Sequence, residues 1–166
     1  SALSLGLKRI DYDSATKAQM SRVLDLILSL FPKNELPQLL FGLLQSESFR
    51  KAFDHSSDRL PSVLHELFVP IRTVYSAVIE EKLPEDAKHL KRGLALVFSS
   101  DAETIAKYPE QVRERFFEYA LQLTDKPSET DAVLRILLDS FPKKSRSYST
   151  LGILWVEHLL QRHADE

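Results

Sequence analysis

Five histidines and 24 acidic side chains are the raw material for metal binding or proton transfer in this chain of 166 residues. A metal ion needs several ligands converging, and the spacings do not provide them. His65 precedes Glu66, but position 69 is Val, so the second imidazole that a zinc-protease helix places on the same face is missing. Asp86 and His89 form one i, i+3 pair, where a di-metal bundle uses several. Glu157, His158 and His163 cluster near the end, yet i and i+5 point to different sides of a helix. These histidines read as surface or partly packed groups. Glu80-Glu81 and Glu85-Asp86 are adjacent acids that could do general acid–base work, although acids grouped near helix ends ordinarily cap or solvate them.

Nucleophilic and nucleotide chemistry fare no better. There is no G-x-S-x-G elbow to expose a serine, and the serines fall mostly where helices begin. Four isolated glycines, at positions 6, 42, 93 and 152, cannot build a phosphate-cradling loop. With no cysteine, thiol catalysis, disulfides and cysteine-ligated metals are excluded within these residues. The sequence therefore assigns no catalytic, metal-binding or cofactor-binding residue, and the expectation is a chain that is not an enzyme and carries no cofactor.

Two basic clusters remain. Lys88, Lys91 and Arg92 share one helix, and Lys143, Lys144 and Arg146 stand in a late linker. Brought together, they would form an anion-binding patch for a phosphate backbone or an acidic partner. The formal net charge of −2 gives no global attraction to polyanions, and only Tyr148 supplies an aromatic ring near the second cluster, so nucleic acid is a possible but not favoured partner.

The elements that must position these groups are helical. Met20, Val23, Leu24, Ile27, Leu30 and Phe31 recur every three or four residues behind a plausible N-cap at Ser14, and Pro32 stops the run. A second helix starts near Glu35, and Ser46 or Ser48 caps a third bearing Phe49 and Phe53. The next stripe runs from Leu60 to Phe68 and meets Pro70, which predicts a kink or a break before Ile71 to Ile79. Pro84 with Glu85 and Asp86 predicts a helix start, Ser100 or Asp101 a cap, and Pro109 another start. Ser128 and Asp131 resemble a capping box. The linker from Lys143 to Tyr148 precedes a last helix containing Leu151, Leu154, Trp155, Leu159 and Leu160.

Eight or nine short-to-medium antiparallel helices in an all-α fold follow, either a compact multi-helix domain or a HEAT-like helical repeat. The expected organisation is a lead over residues 1–13, partly disordered, and a single domain over residues 14–164. One echo supports repetition: residues 23–33 and 133–143 share six of eleven identities, ending in Phe-Pro-Lys. Its competitor is recurrence by composition, since leucine-rich helices have few ways to stop. No apolar run reaches the ~18 residues of a membrane span, and lack of cysteine fits a reducing compartment, so the chain is read as soluble and intracellular, cytoplasmic or nuclear.

The last helix carries the functional expectation, because it is apolar on more than one side. Leu151, Leu154, Trp155 and Leu159 make one stripe, and Ile153, Val156 and Leu160 another. Either it is buried between two neighbours or it offers one stripe to a partner. The expected function is a scaffold or adaptor domain that presents a helical groove or apolar helix face to another protein. Its candidate contact residues are Leu151, Trp155, Val156 and Leu160, with Lys143, Lys144, Arg146, Lys88, Lys91 and Arg92 setting orientation. The alternatives are a nucleic-acid-associated helical domain and a helical pocket for a small apolar ligand.

Overall fold

The computed structural model describes residues 2–123 and 127–165, apart from the side chains of residues 127–129 and 165. Among the described residues there are ten α-helices, one short 3-10 turn over Ser57–Arg59 and no strand. The chain divides into two compact units, Ser1–Ser100 and Asp101–Glu166. The first contains α1 (Ala2–Arg9), α2 (Lys17–Leu30), α3 (Leu36–Leu43), α4 (Glu47–Ser56), α5 (Ser62–Val78) and α6 (Lys88–Phe98). The second contains α7 (Ala102–Ala106), α8 (Glu110–Leu123), α9 (Pro127–Asp139) and α10 (Arg146–Asp165).

Local side chains decide where these helices begin. Thr16, not Ser14, caps α2: its hydroxyl accepts the Gln19 N–H at 3.1 Å while the Gln19 side chain accepts the Thr16 N–H at 2.9 Å. Only a residue with a Gln or Glu three positions on can close that reciprocal box, and Ser14 has Lys17 there. Ser46 caps α4 by accepting from Phe49 N–H, and Asp101 caps α7 by accepting from Thr104 N–H at 2.7 Å. The helix expected at Pro84 starts later, at Lys88, because the Asp86 carboxylate accepts the Lys88 N–H at 2.9 Å and so serves before the helix, not inside it. Upstream, Glu81 turns the chain out of α5 in the left-handed region, φ 56°, and Lys82 N–H closes on the Ser76 carbonyl at 3.0 Å. The last helix likewise takes in Arg146, which shortens the linker expected there. The Ser128 capping box involves a side chain outside the described residues.

In the first unit Leu24, Ile27, Leu36, Leu40, Phe41, Phe49, Phe68, Ile71 and Val74 are buried together. Phe41 meets Tyr75 edge-on at 5.1 Å, and Tyr12 meets Phe49 in the same way. Pro70 breaks nothing: α5 continues through it, buried, with the Thr73 hydroxyl donating to the Val69 carbonyl at 3.1 Å. Its carbonyl faces α6 at Gly93, where an added Cβ would lie 2.3 Å from the oxygen and 2.4 Å from Val74 Cγ2. Glycine is what lets α5 and α6 approach that closely. Arg72 of α5 ties that helix to α4 and to the turn after it, donating to Asp54 of α4 through Nε (2.7 Å) and Nη2 (2.9 Å) and to Ser76 and Glu80 through Nη1.

In the second unit Val112, Phe116, Phe117, Leu134, Leu137, Phe141 and Leu151 are buried. Arg113 is buried among them at 7% exposure. Its Nε donates to the Tyr108 carbonyl at 2.8 Å, and Nη1 donates to the carbonyl (2.8 Å) and hydroxyl (2.6 Å) of Ser140, while the guanidinium lies 4.7 Å from the centre of the Phe141 ring. Ser140 follows the last residue of α9, so the cation sits at the negative end of that helix.

The echoed segments have the same local structure. Each is a helix, a Phe-Pro that leaves it and a turn in which the proline carbonyl accepts an N–H three residues on, from Glu35 at 3.0 Å in one case and from Ser145 at 2.9 Å in the other. Leu24 and Leu134 are buried in register, as are Ile27 and Leu137. The helices that follow begin at Leu36 and Arg146, the same interval of 110 residues.

Candidate functional site

The second unit offers its clearest surface on α10. Ser145 starts that helix, its hydroxyl accepting the Tyr148 N–H at 3.2 Å, and the Ser147 hydroxyl donates to the Glu114 carboxylate of α8. Leu151 is 2% exposed, and Trp155, half-buried, lies edge-on to Phe117 of α8 with ring centres 6.2 Å apart. Arg162 reaches Asp131 of α9 at 3.5 Å. These residues define the inner side of the helix.

Ile153 lies two residues from Leu151 and therefore about 200° round the helix. It is 59% exposed, and Val156 and Leu160, at i+3 and i+7 from it, are 55% and 64% exposed. Leu159 flanks the stripe at 36%, outside the inner stripe to which its spacing had assigned it. Three aliphatic side chains thus stand in a row on the side of α10 opposite its core contacts. Among the candidates named from sequence, Val156 and Leu160 are on this outer side. Leu151 and Trp155 are on the inner one, so Leu151 is core and cannot be part of an exposed contact surface. Ile153 completes the outer row; period-3.6 spacing already placed it there.

Lys143, Lys144 and Arg146 are exposed at the turn that leads into α10. Lys88, Lys91 and Arg92 are exposed along α6, in the first unit. The two basic clusters belong to different units, one to each.

The histidines and acids do not assemble. Among the described residues no group of three or more His, Asp or Glu side chains converges as a metal site would require. His65 is exposed, His89 is half-buried on α6, and His158 lines a shallow groove of about 310 Å³ with Glu118 and Gln122. Glu80, whose spacing beside Glu81 suggested acid–base work, is instead held by Arg72 and Ser76; the Arg72 hydrogen bond keeps its carboxyl below the usual glutamate range. A largely apolar groove, about 520 Å³, lies in the first unit between Leu28, Pro37, Val63, Leu67 and Leu96, with Lys33 and Glu66 at its edge. Among the described residues no helix is long and apolar enough to cross a membrane. No family model matches the chain, and no significant match was found to a curated protein or to a solved structure.

Proposed function

We propose that this chain is a protein-binding helical module, non-catalytic, whose contact stripe is Ile153, Val156 and Leu160 on α10. The observation that carries the reading is the exposure of those three residues, 59%, 55% and 64%, on the side of the helix opposite the buried Leu151. Isolated exposed leucines are ordinary on protein surfaces, but a row at helical spacing is what helix-in-groove recognition uses. Magnitudes limit what the row can do alone. Complete burial of an aliphatic side chain is worth roughly 1.5–3 kcal/mol, and these three are already partly covered, whereas association costs an estimated 4–15 kcal/mol. The contact must therefore extend past the stripe. Lys143, Lys144 and Arg146 stand at the start of the same helix, and an acidic rim on the partner would be drawn to them, which sets approach and orientation more than affinity. A cysteine-free chain suits a partner met inside the cell, in cytoplasm or nucleus.

The test is quantitative capture from native lysate with wild type and two variants, one carrying Ile153→Asp, Val156→Asp and Leu160→Asp, the other Lys143→Glu, Lys144→Glu and Arg146→Glu. Proteins retained by wild type are expected to disappear with the first variant, at unchanged circular dichroism, and to be reduced with the second. Identical recovery with the first variant would rule the stripe out.

A further inference from the structure

We infer that the groove of the first unit is a second docking site, and that its occupant is an amphipathic helix of a partner protein bearing an acid toward Lys33 and a base toward Glu66. The inference stands apart from the α10 reading, since it uses no residue of the second unit.

The groove exists because three helices begin or end beside one another. Leu28 stands in the last turn of α2, Val63 and Leu67 in the first two turns of α5, and Leu96 in the last turn of α6. The Ser100 hydroxyl donates to the Asn34 carbonyl at 2.8 Å and so ties the residues after α6 to the turn between α2 and α3, which fixes one end of the groove. Four aliphatic side chains thus line one concavity and stay incompletely covered, Val63 at 67% exposure and the others half-buried. Singly, such residues are ordinary on a surface; converging in a concavity, they make a contact site.

The walls select the occupant. A small apolar molecule needs a cavity that encloses most of its surface, and a groove whose wall includes a residue as open as Val63 does not enclose one. An extended peptide draws its affinity from a sheet edge, and among the described residues there is no strand to offer one. Pro37, in the first turn of α3, has no N–H to give either. A helix pairs its own backbone and presents only side chains, which is what these walls can receive. Charge sets the rest. Lys33 and Glu66 are exposed at the rim, and neither has an ion pair among the described residues. A helix with an apolar stripe at i, i+4 and i+7, flanked by one acid and one base, satisfies both; a helix with two like charges satisfies one and is repelled by the other.

The experiment is an NMR titration of the full chain with three alanine-rich helical peptides of about sixteen residues, capped at both ends and sharing one leucine stripe. One carries an acid at one end and a base at the other, one carries two acids, and one carries two bases. The mixed peptide is expected to shift Leu28, Val63, Leu67 and Leu96 and to bind wild type roughly fivefold more tightly than either of the others. Lys33→Glu should make the two-base peptide the tightest binder, and Glu66→Lys the two-acid peptide, whichever way the helix lies in the groove. Both side chains are exposed, so circular dichroism should not change. Val63→Asn should weaken all three peptides together. No shift at the groove with any peptide, one ranking shared by wild type and both rim variants, or binding indifferent to Val63→Asn would each overturn the inference. Shifts of the same residues on raising protein concentration without peptide would assign the groove to a second copy. A small molecule carried through purification, seen by native mass spectrometry and shifting those residues on removal, would assign it to a ligand; either result overturns the inference. The capture test on α10 is decided separately, because its variants all lie in the second unit.

Discussion

The Pro70 carbonyl of α5 lies so near Gly93 of α6 that a methyl group on the glycine would sit 2.3 Å from its oxygen. Backbone cannot yield as a flexible side chain can, so the helices would have to separate. Gly93→Ala gains roughly 1 kcal/mol of helix propensity but incurs an overpacking cost of typically 1–3 kcal/mol or more, and a net loss in urea denaturation is expected. Gly152→Ala, in open space, should instead stabilise by about 0.5–1 kcal/mol. Equal effects at the two positions would contradict the close crossing.

Arg113 is a buried cation held by carbonyls, a hydroxyl and a ring. Truncation to alanine removes donors from the Tyr108 and Ser140 oxygens and leaves a cavity, with an expected loss of about 3–5 kcal/mol. Arg113→Lys should recover little, because a single ammonium cannot serve both Tyr108 and Ser140 from the geometry of a planar fork. Thermal melts of the two variants check this, and wild-type stability in the lysine variant would refute it.

The Glu80 carboxyl is held below its ordinary value, chiefly by the hydrogen bond from Arg72 and secondarily by Ser76, against the opposing effect of burial. A depressed folded-state value means that the stabilisation is present above the unfolded value, near 4.5, and is lost as pH falls through the lower folded one. Denaturation midpoints of wild type should therefore fall more steeply below that pH than those of Glu80→Gln, by under ~1 kcal/mol since the group is partly exposed. Parallel acid limbs would show that Arg72 gives Glu80 no net support.

The two sides of α10 should respond oppositely to substitution. Leu151→Ala removes a core side chain and should cost about 2–5 kcal/mol. Ile153→Asp, Val156→Asp and Leu160→Asp should each stay within roughly 0.5 kcal/mol of wild type. A large loss from any of the three would mean that the outer row already packs within the chain.

Much of this was readable in the residues. Apolar spacing located Leu24 and Ile27, Leu134 and Leu137, and the outer row of α10, because one turn of helix has one period whatever it packs on, while Leu159 fell outside the inner stripe its spacing suggested. What spacing cannot weigh is competition between local hydrogen bonds: Thr16 wins the α2 cap through Gln19, and Asp86 holds the Lys88 N–H in a turn ahead of α6. Pro70 was legible as a kink or a break, and the choice between them was not, since continuation depends on the tertiary packing that buries it. Arg113 was invisible as core, because its acceptors come from Tyr108 and from Ser140, 27 residues away in sequence. The outer side of α10 was legible as apolar; which stripe faced inward was settled only by Phe117 meeting Trp155.

Trp155, resting on the edge of the Phe117 ring, is the single tryptophan of the chain. The stretch Ser1–Ser100 contains no indole, so fluorescence excited at the red edge of protein absorption reads out residues 101–166 alone, while far-ultraviolet ellipticity reads both halves. Nature has thus labelled one half and left the other dark, and comparing the two optical signals through a melt tells whether the halves come apart in one step or in succession.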